Sequence, residues 1–137
     1  MIGILIISHG AFGTALIQSA SHVLGKRPPD LQELGITVKD DPEAMYRQAQ
    51  AMVHSVDSGS GVIVFTDMLG ATPSNIASRL SVPGHVEVIA GVSLPMLVRA
   101  LTYRNETLAV DVRKAVSAGA EGSVQIIPEV ARAANGS

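Results

Sequence analysis

The 137-residue chain contains no cysteine and no tryptophan, and aromatic residues make up only 3% of it. Without cysteine there are no disulfides and no thiolate metal sites. With so few aromatics, little is available to stack a nucleobase or a flavin ring. Charged residues are also scarce, at 16%. The formal net charge is −2 and the lysines and arginines form no cluster, so the basic surface of a nucleic-acid binder is missing. The opening apolar run, Ile2 to Ile7, stops at Ser8-His9. It is too short to span a membrane and lacks the basic flank of a signal peptide. The expectation is a soluble cytoplasmic protein with no membrane insertion. Neither G-x-x-x-x-G-K-[ST] nor G-x-S-x-G occurs, which argues against an ATP-using P-loop enzyme and against a nucleophile elbow. The four histidines show no metal-ligand spacing with a carboxylate, so neither a metal nor another cofactor is expected.

What is present is a hydrophobic content of 47% in a length suited to one domain. Ile2 to Ile7 is too short for a buried helix and rich in β-branched residues, as in a strand covered on both faces. "TALIQSASHVLG" places Ala15, Leu16, Ser19, Val23 and Leu24 near helical spacing, with Gly25 as the stop. "LQELGITV" reads as a second strand. The next helix is signalled by Asp41 as cap, Pro42 at the first position and Glu43 in the first turn. Its apolar stripe is Met45, Ala49, Met52, Val53 and Val56. "VIVFTD" is another buried strand, "ATPSNIASRL" a helix capped by Thr72, and "HVEVIAG" a further strand. Two helices follow, in "SLPMLVRALTYR" and "ETLAVDVRKAVSAG", and "SVQII", residues 123–127, reads as a last short strand.

Strands alternating with helices predict an α/β fold. It is an open, doubly wound, mostly parallel sheet with helices on both faces and a C-terminal antiparallel edge strand. One domain is expected over residues 1–130, with 131–137 as a flexible tail. No internal repeat or linker is visible.

In such a sheet, ligands bind beyond the carboxyl ends of the strands, where strand order reverses. Two predicted strands end on functional side chains there, His9 and Asp67. A carboxylate bonded to one imidazole nitrogen fixes the tautomer and leaves the other nitrogen as nucleophile or base. Gly10 and Gly13 would open space for a partner, and Gly70 to Asn75 offers hydroxyls and backbone N–H groups to an anion. Phosphoryl transfer through a phosphohistidine fits these parts. A histidine at a strand end is also commonly a structural residue, and an aspartate there can simply cap a turn. His22 and His54 fall off the apolar stripes and His85 follows Gly84 in a turn; all three read as solvated.

The segments "IGILIISHG", "VFTDMLGATPSNIASR", "VIAGVSLPMLVRAL" and "GAEG", spread over nearly the whole chain, resemble the mannose-family enzyme IIA of the bacterial phosphoenolpyruvate-dependent sugar phosphotransferase system. The resemblance implies that His9 takes a phosphoryl group from the histidine-containing phosphocarrier protein and passes it to a histidine of a IIB partner. It implies Asp67 as the orienting carboxylate, and Gly10, Gly70, Ala71, Thr72 and Ser74 around the phosphoryl oxygens. The family pattern is similar to D-x-x-G-G-S/T-P-x-N, and this chain carries Ala71 at the second glycine. The resemblance also implies a homodimer in which the last strand can cross between subunits; the same segment also reads as an ordinary edge strand. With no IIB segment or membrane span in the sequence, feeding a sugar permease and acting as a regulatory signal are both open. The reading from a different class is a non-catalytic α/β module that binds a nucleotide or another anion.

Overall fold

The computed structural model describes residues 1–128; the tail expected at 131–137 lies outside them. Among the described residues the order is β1 (Gly3–His9), α1 (Phe12–Leu24), β2 (Leu31–Ile36), α2 (Pro42–Val56), β3 (Val62–Thr66), α3 (Thr72–Ser78), β4 (Val86–Ala90), α4 (Leu94–Thr102) and α5 (Leu108–Glu121). The sheet order is β2-β1-β3-β4 and every pair is parallel. The chain steps outward from β1 to β2, then returns to lay β3 on the other side of β1. The strand order therefore reverses between β1 and β3, the two most completely buried strands.

Alternation along these strands divides the core. Ile2, Ile4, Ile6, Ile63 and Phe65 pack under α1, α4 and α5. Leu5, Ile7, Val62 and Val64 pack under α2 and α3. The long aliphatic runs follow from this, since a strand covered on both faces favours apolar residues along most of its length. The stripe expected on α2 is the observed one, and the Asp41 carboxylate caps that helix through the Ala44 N–H at 3.0 Å.

Three expectations need correction. The inward face of α1 is Gly13, Ile17 and Ala20, whereas Ala15 and Val23 are exposed. The helix lies too close to the sheet for bulk at its first turn: a Cβ on Gly13 would sit 3.1 Å from Ser8 Oγ and 3.2 Å from Glu33 Cβ. Gly13 therefore serves packing and does not open the surface near His9. The cap of α3 falls on Ala71, one residue earlier than expected, with Thr72 as the first helical residue. Finally, residues 123–127 form no strand, and the sheet among the described residues is wholly parallel. The segment leaves α5 at Gly122 and joins neither sheet edge, so Val124, Ile126 and Ile127 stay exposed; without a ladder partner a strand does not form.

The end of the sheet where the strands begin is held by Arg104, which is 5% exposed. Its Nε and Nη2 donate to the Ile2 carbonyl at 2.9 and 2.7 Å, and its Nη1 donates to the Pro29 carbonyl at 2.7 Å. Nη2 also reaches the Asp30 carbonyl at 3.0 Å. On α5, Asp111 is fully buried and neither carboxyl oxygen has a hydrogen-bond partner. Burial pushes its carboxyl up to about 7, against the opposing pull of Arg104.

Candidate functional site

The strand-order reversal brings His9 and Asp67 together. β3 ends at Thr66, which pairs with Ile7, so β1 runs on past the last residue that β3 offers it. The Asp67 side chain fills that gap. Its Oδ2 accepts the His9 backbone N–H at 2.9 Å and lies 2.7 Å from His9 Nδ1, while its Oδ1 accepts the Met68 N–H at 3.0 Å. Nδ1 then carries the proton, and Nε2 is left with its lone pair. The His9 side chain is 53% exposed and that of Asp67 only 12%, so the carboxylate is sheltered while the ring faces solvent. Burial works to raise the Asp67 carboxyl. The hydrogen bonds from the His9 backbone and ring and from Met68 outweigh it, and the carboxyl is held below the usual value. Among the described residues, no lysine or arginine meets either oxygen.

The glycines at the site have distinct jobs. Gly10 has φ +49°, and a Cβ there would meet nothing within 4 Å, so its role is the turn after β1. Gly70 has φ +85°, in the region that disfavours side chains. Ala71 is extended, at φ −117° and ψ 172°, which any residue adopts. Alanine at the second glycine position of the family pattern therefore leaves the turn unstrained.

Of the two hydroxyls expected near an anion, only one is available. Thr72 is exposed at the start of α3. Ser74 is 6% exposed, and its Oγ is committed to the turn. It accepts the N–H groups of Gly70 and Ala71 at 2.9 and 3.2 Å and donates to the Ala71 carbonyl at 3.0 Å. Asp40 braces the β2–α2 turn through the Thr37 N–H at 2.8 Å. Among the described residues, no group of three or more histidine, aspartate or glutamate side chains is placed to hold a metal. No helix among them is long and apolar enough to cross a membrane.

Sequence reasoning missed three features. Ser8, fully buried beside His9, accepts the Gly13 N–H at 3.0 Å and so fixes the first turn of α1 to β1. Its signal was a polar residue interrupting an apolar run before the histidine. His85 is not merely solvated: its Nε2 lies 2.6 Å from Asp57 Oδ2. Phe12, Val38, Met68 and Leu69 are all exposed, on the ends of the three loops that follow β1, β2 and β3. Only the folded topology shows that these four share the edge of the sheet with His9. His22 and His54 are exposed, as expected.

Comparison with known proteins identifies the family. The family model EIIA-man, described as PTS system fructose IIA component, matches residues 3–117. The mannose-specific EIIAB component of Escherichia coli K12 is 34% identical over 124 residues, which is 88% of this chain and 38% of that protein. The chain thus spans less than two fifths of that relative's length. The fructose-specific EIIA component of Bacillus subtilis is 27% identical over 135 residues, covering 94% of this chain and 88% of the relative. The crystal structure of the phosphotransferase system component EIIA from Streptococcus agalactiae superposes with a TM-score of 0.81 at 26% identity, covering 91% of this chain and 97% of that one. Matched over residues 3–117, the chain belongs to the EIIA-man family of phosphotransferase-system IIA components.

Proposed function

We propose that the chain is a phosphoryl carrier of the sugar phosphotransferase system, loaded on His9 Nε2. The observation that carries this reading is the 2.7 Å contact between Asp67 and Nδ1 of the half-exposed His9 ring; in the neutral ring that contact puts the proton on Nδ1 and the lone pair on Nε2. In the forward step the Nε2 lone pair attacks phosphorus. The N–P bond of a phosphohistidine on the histidine-containing phosphocarrier protein breaks, and the electron pair leaves with the donor ring. Asp67 stabilises the positive charge that the His9 ring gains as the new bond forms. The reverse geometry serves transfer to a histidine of a IIB partner. Gly10, Gly70, Ala71 and Thr72 surround the phosphoryl oxygens, and Ser74 shapes the turn that presents them.

A protein donor is favoured over a small molecule by the surroundings of His9. The exposed Phe12, Val38, Met68 and Leu69 offer apolar contact at the loop ends, while among the described residues no cationic side chain meets Asp67. This counts against a free-standing nucleotide or anion module, which would need its own positive charge. We place the reaction in the cytoplasm, where phosphoenolpyruvate is available, and the working form as a homodimer. The exposed apolar segment 123–127 and the open edge of β4 support a dimer in which that segment pairs with the other subunit. Feeding a permease and signalling would both use the same loaded histidine.

The test is incubation with phosphoenolpyruvate, enzyme I and the phosphocarrier, followed by intact mass and site mapping. One acid-labile, alkali-stable phosphoryl group on His9 is expected. No label, or label on His22, His54 or His85, overturns the reading.

A further inference from the structure

Thr66 is the only hydroxyl in β3. The residue is fully buried, and its Oγ1 has no hydrogen-bond partner. Its carbonyl is already bound, to the Val92 N–H at 3.0 Å. A buried hydroxyl left without a partner weakens a fold, and valine would keep the shape without that loss. An orphan of this kind, one residue before Asp67, calls for a functional explanation.

Alternation along β3 puts Thr66 with Val62 and Val64 on the face covered by α2 and α3. Ser74, in the first turn of α3, is buried too. Two hydroxyls therefore flank the turn from Asp67 to Ala71, one at each end. Ser74 Oγ makes three hydrogen bonds with that turn, to Gly70 N, Ala71 N and Ala71 O. Thr66 Oγ1 makes none. In this arrangement both N–H groups are bonded to Ser74 Oγ.

We propose that Thr66 is a positioning residue of the phosphorylated state. When a phosphoryl group sits on His9, the N–H groups of Gly70 and Ala71 turn from Ser74 Oγ to the phosphoryl oxygens. The released Ser74 hydroxyl is then taken up by Thr66 Oγ1, which satisfies both hydroxyls at once. The resting state carries the unsatisfied group and the loaded state does not, so the hydroxyl biases the protein toward holding phosphate. This rests on His9 being the loaded residue.

The test compares wild type, Thr66→Val and Thr66→Ser. Each is equilibrated with the phosphocarrier, phosphoryl partitioning is measured by intact mass, and melting is followed in both states. In unloaded Thr66→Val the melting temperature should rise by a few degrees, as an unsatisfied group is removed. Partitioning should shift toward the phosphocarrier by about tenfold, the worth of one hydrogen bond made only in the loaded state. Thr66→Ser should partition as wild type. If Thr66→Val melts higher by the same amount in both states with unchanged partitioning, or if it melts lower when unloaded, the hydroxyl is structural and the proposal falls. If wild-type His9 takes no label, the functional reading fails first, and the two failures are told apart.

Discussion

The fold contains two histidine–aspartate pairs, one at each end of the same sheet. His9–Asp67 lies beyond the carboxyl ends of β1 and β3; His85–Asp57 lies where β3 and β4 begin. As isolated contacts they are nearly equal, at 2.7 and 2.6 Å, with rings 53% and 45% exposed. In each, the second carboxylate oxygen accepts a backbone N–H, Met68 for Asp67 and Gly59 for Asp57. The differences lie in what surrounds them. Asp67 also takes the backbone N–H of the histidine it orients, and it engages Nδ1. Asp57 engages Nε2, and His85 sits in the tight Val82–Val86 turn of an edge strand. Only the first pair stands at the reversal of strand order, beside exposed apolar loop ends. The pairing of an imidazole with a carboxylate is therefore a common building piece, and its place in the sheet decides whether it can do chemistry.

The largest separation between the pairs is expected from removing the rings. His9→Ala should abolish phosphoryl acceptance from the phosphocarrier, whereas His85→Ala should accept at the wild-type rate. Equal loss in both would dissolve the distinction. Next come the carboxylates. Asp67→Asn should keep the fold and slow transfer in both directions by about 10²-fold. That is less than the roughly 10⁴-fold seen when the corresponding change is made in a serine-protease triad, because the donor here is already activated. Asp57→Asn should leave rapid-quench transfer rates unchanged.

A carboxylate with no imidazole sharpens the comparison through pH. The Asp111 carboxyl is raised from 3.8 to about 7, so between those values the folded state holds a proton that the unfolded chain has lost. Its stability contribution is complete below pH 3.8, falls as pH rises through about 7, and is flat above. Asp111→Asn should remove that decline and melt higher than wild type at pH 8. Asp57 and Asp67 run the other way. The Gly59 N–H and His85 lower the first; in the second, hydrogen bonds from His9 and Met68 outweigh burial. Their contributions are present above about 3.8 and are lost as pH falls through the depressed values. The smallest effect expected is that Asp57→Asn costs about 1 kcal/mol at neutral pH and flattens the acid limb of a melting profile.

The sequence made His9 and Asp67 legible because each ends an aliphatic run, and a strand buried on both faces tolerates a polar residue only at its end. Asp41 and Pro42 were legible because a cap is local chemistry. The α1 face was not. Large apolar residues predict one stripe, and the actual contact is chosen by Gly13 and Ala20, whose smallness lets the helix settle onto the sheet. Ser74 was read by type as a ligand for an anion, but its three bonds to the turn depend on how α3 enters, which no spacing displays. The strand expected at 123–127 has a strand's composition and no partner within the chain, and pairing is the part that one chain's pattern leaves undetermined.

A single oxygen, Asp67 Oδ2, holds both the backbone and the ring of His9. The rotamer of His9, the proposed nucleophile, is thus set when the chain folds, not when a partner arrives. Freezing one such side chain costs about 0.5–1.5 kcal/mol in lost rotational freedom. Under the proposed function, a carrier that meets a donor and then an acceptor would otherwise pay it twice per cycle. Settled once at folding, it makes every later collision with a partner several-fold more productive.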